Sequence, residues 1–235
     1  MPKIIWRVKL IIKKGDYMKL KHILPLAMCI TLLFSACTTT KKVIEPDPNY
    51  IGNFEPIQLD NILCIQESMG KLQPLELETY FIPRTNNVEI YFRKGLNNIC
   101  IIFEVDERKG VYEGIMQYAE DIALYMDGNK NALPEREATR SNYYTEGTAS
   151  IAWGVMGLSR NNTTTYQTNY QYLEQNKPYF ELMIEKTIDK NDGSTYSPVT
   201  RIYFSPTHLE NLLETLSQEA LVALVKDKEA EAFAF

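Results

Sequence analysis

The 235-residue chain predicts an α+β fold: one antiparallel sheet, or two, with two covering helices. Three observations carry that expectation. Period-two hydrophobic alternation fills much of residues 57–106, the period changes to that of a helix face near residue 110, and the same succession returns after residue 147. Two halves of strands followed by a helix fit a degenerate strand–helix duplication. With no residue-by-residue repeat in view, a single undivided domain fits equally.

The elements follow in order. In LELETYFI (75–82), Leu75, Leu77, Thr79 and Phe81 alternate with Glu76, Glu78 and Tyr80. VEIYFRK (88–94) puts Val88, Ile90 and Phe92 on one face, and NICIIFEVD (98–106) is apolar on both faces, as a central strand is. Gly95–Asn98 between them reads as a four-residue hairpin link. Val111, Ile115, Ala119, Ile122 and Met126 then recur at helical spacing over 110–126. Asp127-Gly128 ends that helix, since glycine takes the left-handed cap without a Cβ penalty.

Residues 129–147 are polar and aperiodic, an exposed loop of the kind that often carries function. Beyond it, ASIAWGVMGL alternates Ile151, Trp153 and Val155, and TTYQTNYQYL alternates Tyr166, Thr168, Tyr170 and Tyr172 with Gln167, Asn169 and Gln171. YFELMIEKTI (179–188) and VTRIYF (199–204) flank a loop containing Asp192-Gly193. Ser205 as N-cap and Pro206 as first helical residue open a terminal helix, 206–226, with Leu209, Leu212, Leu213 and Leu216 on one face. The expected core takes Ile90, Phe92, Ile101, Phe103, Ile115, Ile122, Trp153, Leu182, Ile184, Ile202, Leu209 and Leu213.

The N-terminal region carries a different signal. From Met18 the chain reads MKLKHILPLAMCITLLFSACTTTKK: a basic start, 14 apolar or small residues from Ile23 to Ala36, and small residues at a cut site. That run is too short to cross a bilayer as a helix, which takes about 20 residues. Leu33-Phe34-Ser35-Ala36-Cys37 resembles the lipobox of bacterial lipoproteins, in the looser spirochaete-type form, because Phe34 stands where leucine is usual.

The resemblance implies cleavage before Cys37 and lipid attachment (diacylglycerol, with palmitate) at Cys37. Two or more acyl chains anchor a protein stably where one does not. It also implies residence in the cell envelope, at the outer membrane rather than the inner, with the domain in the periplasm or at the cell surface. The chain then divides into an upstream extension (1–17), a signal peptide (18–36), a flexible tether (37–56) and one globular domain (57–235).

Composition narrows the function. After residue 36 the chain has 18 Lys/Arg against 29 Asp/Glu, a balance of −11 that repels phosphate backbones and argues against nucleic acid. Tandem strand–helix units resemble whirly and PUR-type architectures in element order alone, so the nucleic-acid binding of those families does not carry over. Cys64 and Cys100 sit in apolar runs; export permits a disulfide, and two separate buried thiols fit the setting as well.

His22 leaves with the signal, so His208 by itself cannot build a multi-histidine metal site. In the first helical turn it reads as a surface or packing residue. DKNDGS (189–194) lacks the spacing of a calcium loop, with Gly193 fifth and Thr200 twelfth. No metal, cofactor or catalytic group is assigned, and the chain reads as a binding or structural module more than an enzyme.

Glu104 and Asp106, expected on one strand face, and Glu120 with Asp121 supply the alternative, a carboxylate-dependent hydrolase of envelope glycans. A further alternative is lipid contact through the C-terminal amphipathic helices. The expected binding patch for an envelope protein or glycan joins Arg136, Arg140, Tyr143 and Tyr144 of the loop to Tyr166, Tyr170 and Tyr172. Tyrosine and arginine are the residue types favoured at interface hot spots.

Overall fold

In the computed structural model, residues 49–68, 70–133, 144–173 and 177–234 are described. Nine strands precede, surround and follow one long helix: β1 (Ile57–Gln58), β2 (Ile62–Ser68), β3 (Lys71–Ile82), β4 (Asn87–Lys94), β5 (Asn97–Phe103), helix α1 (Val105–Met126), β6 (Thr145–Gly154), β7 (Arg160–Tyr172), β8 (Pro178–Ile184) and β9 (Thr200–Phe204). Helices α2 (Pro206–Leu216) and α3 (Gln218–Ala232) complete the domain.

The expected open sheet under two helices is not what forms. Each strand from β2 to β9 pairs antiparallel with the next in sequence, and β9 pairs back onto β2 through Ile65 with Tyr203 and Gln66 with Ile202. The eight strands therefore close into an up-and-down barrel, with β1 added on the end of β3. Alternation revealed which side of each strand faces a core but said nothing about which strands meet. Nor is there a duplication: β5 and β6, on either side of α1 in sequence, pair with each other in one continuous wall.

Among the described residues the helices number three because Ser217, extended at ψ 118°, breaks the terminal segment and caps α3 by accepting from Ala220 N. All three helices lie at one end of the barrel. That end holds the β3–β4 turn, the exits of β5 and β9 and the entry of the chain, where Ile51 N donates to Pro83 O at 3.1 Å. Residues from Pro46 onward form one compact unit that contains this whole core.

Inward positions run at period two, as Ile62 and Cys64, Leu77, Thr79 and Phe81, Val88 and Ile90, Ile99 and Ile101, Ile151 and Trp153, Tyr166 and Thr168, and Phe180 and Leu182. Leu209, Leu212, Leu216, Leu221 and Val225 of the terminal helices join this core. Ten of the twelve expected core residues are buried, while Ile122 and Leu213 pack half-buried against it.

Many outward positions, such as Glu78, Glu89, Gln167 and Asn169, are polar, with apolar Leu63 and Ile102 among them. A membrane-spanning barrel has the opposite arrangement. Among the described residues, no helix is long and apolar enough to cross a membrane.

Three local expectations are also corrected. The β4–β5 link is two residues, Gly95 and Leu96, with Gly95 at φ +59°. Helix α1 starts at Val105, so Glu104 and Asp106 are not on a strand. Met126, at the end of α1, points to solvent.

Cys64 and Cys100 are separate buried thiols. Cys64 faces the interior and its thiol donates to Leu75 O at 3.5 Å, whereas Cys100 lies on the opposite face of its strand from inward Ile99 and Ile101. Burial pushes both thiols up to about 12, which keeps them protonated and unreactive at neutral pH.

Candidate functional site

The barrel interior is the first place to look for a site, and it is full. Eight strands enclose a space just wide enough for side chains. Here Trp153, Phe81, Phe103, Phe180, Phe204 and Tyr166 occupy it with almost no solvent contact. Rings meet edge-on or tilted, Phe103 with Tyr166 at 5.8 Å and Phe180 with Phe204 at 6.3 Å. Function therefore falls to the ends and the outside.

The tyrosines assigned to a binding patch lie at the helix end of this core. Tyr144, Tyr166 and Tyr170 are buried and Tyr172 is half-buried. Tyr166 donates to Glu107 O at 3.0 Å, Tyr144 to Asp121 Oδ2 at 2.8 Å, and Tyr172 to Leu133 O at 2.5 Å. From the other side, Tyr118 of α1 donates to Pro178 O at 3.0 Å.

These hydroxyls fasten α1, and the segment after it, to the wall of the barrel. Each phenol combines a large apolar area with one polar atom that needs a partner, which suits a helix–sheet seam as well as an interface. Three of the four described tyrosines thus leave the expected patch. Arg136, Arg140 and Tyr143 lie outside the described residues, as does Cys37.

Arg108 is a residue that the sequence reading missed. It is 1% exposed, and its guanidinium donates to Asn86 O at 2.9 Å, to Asn86 Oδ1 at 2.8 Å and to Gln218 Oε1. It also lies 5.9 Å over the Phe81 ring. Burial pulls its pKa down to about 10.

The group ties α1 to the β3–β4 turn, where Asn86 holds φ +56°, and to the start of α3. A signal for it exists. Arg108 falls on the stripe of Val111, Ile115 and Tyr118, visible once the helix is extended back to 105.

The carboxylates of the hydrolase alternative take other places. Glu104 is the N-cap of α1 in a capping box: its backbone N–H donates to Glu107 Oε2 at 2.9 Å, and its side chain accepts from the helix. Asp106 is in the first helical turn, where a negative charge faces the positive end of the helix dipole. Both are exposed. Burial raises the pKa of Glu107. Asp121 accepts from Tyr144, and Glu120 is exposed.

His208 is half-exposed in the first turn of α2, after N-cap Ser205 and Pro206. Asp189 is buried and accepts from Asn161 N, while Asp192 accepts from Ser194 N and Thr195 N at 2.8 Å each. Those bonds hold the Asp192 carboxyl far below the usual carboxylate range. Among the described residues, no group of three or more His, Cys, Asp or Glu could hold a metal.

Among several clefts that open on the outside, two adjoin the terminal helices and the β3–β4 seam. One of about 250 Å³ lies between the β1–β2 link (Gln58, Leu59, Asp60) and the terminal helices (Asn211, Glu214, Leu224). The other, about 380 Å³, lies where β4 ends its pairing with β3 at Tyr91 and Glu78, and is lined by Leu75, Glu76, Phe92 and Arg93. In the first, the Thr215 hydroxyl donates to Asn211 O at 2.8 Å.

No solved structure matches the chain. A protein of Treponema pallidum (strain Nichols), described as an uncharacterized protein, is 25% identical over 167 residues, which are 71% of this chain and 58% of that relative. The chain thus spans less than two thirds of that relative's length. Residues 27–223 match the family described as "Uncharacterised Treponema protein", and the chain belongs to that family.

Proposed function

We propose that the protein is an envelope lipoprotein held to a membrane through Cys37, whose barrel serves as a non-enzymatic binding or structural domain for an envelope protein or glycan. The observation that carries this reading is the filled interior. Trp153, Phe81, Phe103, Phe180 and Phe204 take the space a carried ligand would need, so the domain meets its partners with its exterior. The lipobox-like run ending at Cys37 supports the anchor, and the polar outward face of the barrel supports a domain that stands in water beside the membrane.

The alternatives lose ground on two observations. Glu104 and Asp106 are taken up in starting α1. Leu209, Leu212, Leu216, Leu221 and Val225 of the terminal helices are buried in the core and turned away from any lipid.

The test is fractionation of cells carrying the native chain or Cys37→Ser. The native protein is expected with the membranes and the variant in the soluble fraction. A variant that still pellets and resists carbonate extraction overturns the anchor.

A further inference from the structure

The end of the barrel remote from the helices is formed by the β2–β3, β4–β5 and β6–β7 turns and the β8–β9 loop. Its tips are apolar and exposed. Leu96, 68% exposed, sits on the β4–β5 turn, and Val155, Met156 and Leu158 sit on the β6–β7 turn, with Met156 fully in solvent. The two turns are neighbours, because Asn98 pairs with Gly154. The Lys94 ammonium donates to Val199 O at 2.8 Å, which brings the β8–β9 loop, with exposed Tyr196, into the same face.

Charge divides the domain in the same way. Residues 67–72, 93–98, 155–160 and 185–201 hold seven Lys/Arg against four Asp/Glu. One of those acids, Asp192, lies 3.7 Å from Arg160. The three helices at the opposite end hold eleven acidic against four basic residues. A chain that is acidic overall has thus collected its basic excess beside its exposed apolar turns.

We propose that this turn face docks on an anionic lipid bilayer, with Leu96, Val155 and Met156 entering the interfacial layer and the basic residues meeting the headgroups. Protein hot spots sit in packed pockets inside a polar rim, whereas these side chains protrude from tight turns and offer no concave fit. A bilayer interface accepts protruding apolar groups without shape complementarity, and its anionic headgroups attract a basic surface. The acidic helix end and polar wall disfavour any other orientation on such a surface. The inference rests on the reading of a binding domain displayed at a membrane, but not on Cys37.

The experiment uses residues 46–235, the compact unit that carries the whole core. It is sedimented with vesicles of phosphatidylcholine alone or of phosphatidylcholine with phosphatidylglycerol. Binding is expected to the mixed vesicles and to weaken as salt shortens the screening length. The double variant Leu96→Asp/Met156→Asp should bind at least about tenfold more weakly, and so should the charge reversal Lys71→Glu/Arg93→Glu. Leu124→Asp/Met126→Asp, on the exposed side of α1, should bind as the native domain does.

Thermal melts of all forms confirm folding, and the charge reversal keeps the test intact if the apolar double variant does not fold. No sedimentation, equal binding to phosphatidylcholine alone, or equal binding by the folded turn-face and α1 variants overturns the proposal. None of these results touches the anchor, which the Cys37→Ser fractionation tests separately.

Discussion

A guanidinium buried far from any carboxylate partner has to be held by oxygens that carry no charge, and Arg108 is held by three of them. Its hydrogen bonds join its own helix, α1, to the β3–β4 turn and to the start of α3. Truncation would leave the two oxygens of buried Asn86 short of donors inside the fold, and unpaired buried polar groups are costly. Arg108→Ala is expected to lower the unfolding free energy by about 3 kcal/mol, read from urea titration. Arg108→Lys should recover little of it, because one ammonium cannot reproduce the planar fork between Asn86 and Gln218. A variant within about 0.5 kcal/mol of native, the range of an ordinary surface change, would refute this assignment. The residue was hidden in the sequence because charge on a helix is read as solvent-facing unless the apolar stripe is followed to its first turn.

At the scale of elements, α1 approaches the barrel closely because its contact face carries a glycine. A Cβ at Gly114 would sit 2.7 Å from Thr145 Oγ1 and closer still to Thr168 Oγ1, and the threonines are engaged with each other at 2.6 Å. Alanine is the better helix former by about 1 kcal/mol, yet Gly114→Ala is expected to destabilise the domain by about 1–3 kcal/mol through overpacking. A raised melting temperature would show that α1 has room to move outward. The sequence made most elements legible: the inward alternation of Leu77, Thr79 and Phe81, the cap at Gly128, and Ser205-Pro206 ahead of α2 all stand where local chemistry puts them. The start of α1 did not stand out because Phe103 to Asp106 alternates as a strand would, and the capping exchange between Glu104 and Glu107 is decided by geometry. The tyrosines had the right face but the wrong neighbour: period two fixed their common side, and only a helix packed across that side explains why it is dry.

At the scale of the whole molecule, closure of the barrel lay beyond local reading, since pairing of β2 with β9 is a contact between residues about 140 positions apart. Closure also sets the response to alkali. In the closed fold, burial raises the Cys64 and Cys100 thiols, one on each face of the wall, from 9.0 to about 12. It raises the Tyr166 and Tyr203 phenols from 10.0 to about 12. The folded form therefore keeps protons that the unfolded chain releases, so stability from these groups is intact below about pH 9 and falls between pH 9 and 12. Arg108 works the other way, since its lowered pKa favours the folded state above about pH 10, but it is one group against four. Thermal melts should be level in this respect from pH 7 to 9 and drop steeply above. A step in tyrosine absorbance near its ionisation band should coincide with loss of the fold, and completion of the whole rise in a still-folded protein would contradict the burial of these phenols.

The two residue pairs that join β2 to β9 impose an order of assembly on the chain. Every other neighbouring pair of barrel strands is adjacent in sequence, so each hairpin can form as soon as its second strand is available. The seam alone joins the first barrel strand to the last, and α2 lies across it, packed on β2, β8 and β9. A chain emerging from its N-terminus builds an open, curling ribbon whose apolar side has nothing to close against. Joining its ends carries the entropy of a long loop, and the clasp that repays it is made of the last strand and the helices that follow. The domain is thus barred from reaching its native state until nearly all of it has been delivered, and a chain cut short before β9 is left as an unclosed ribbon.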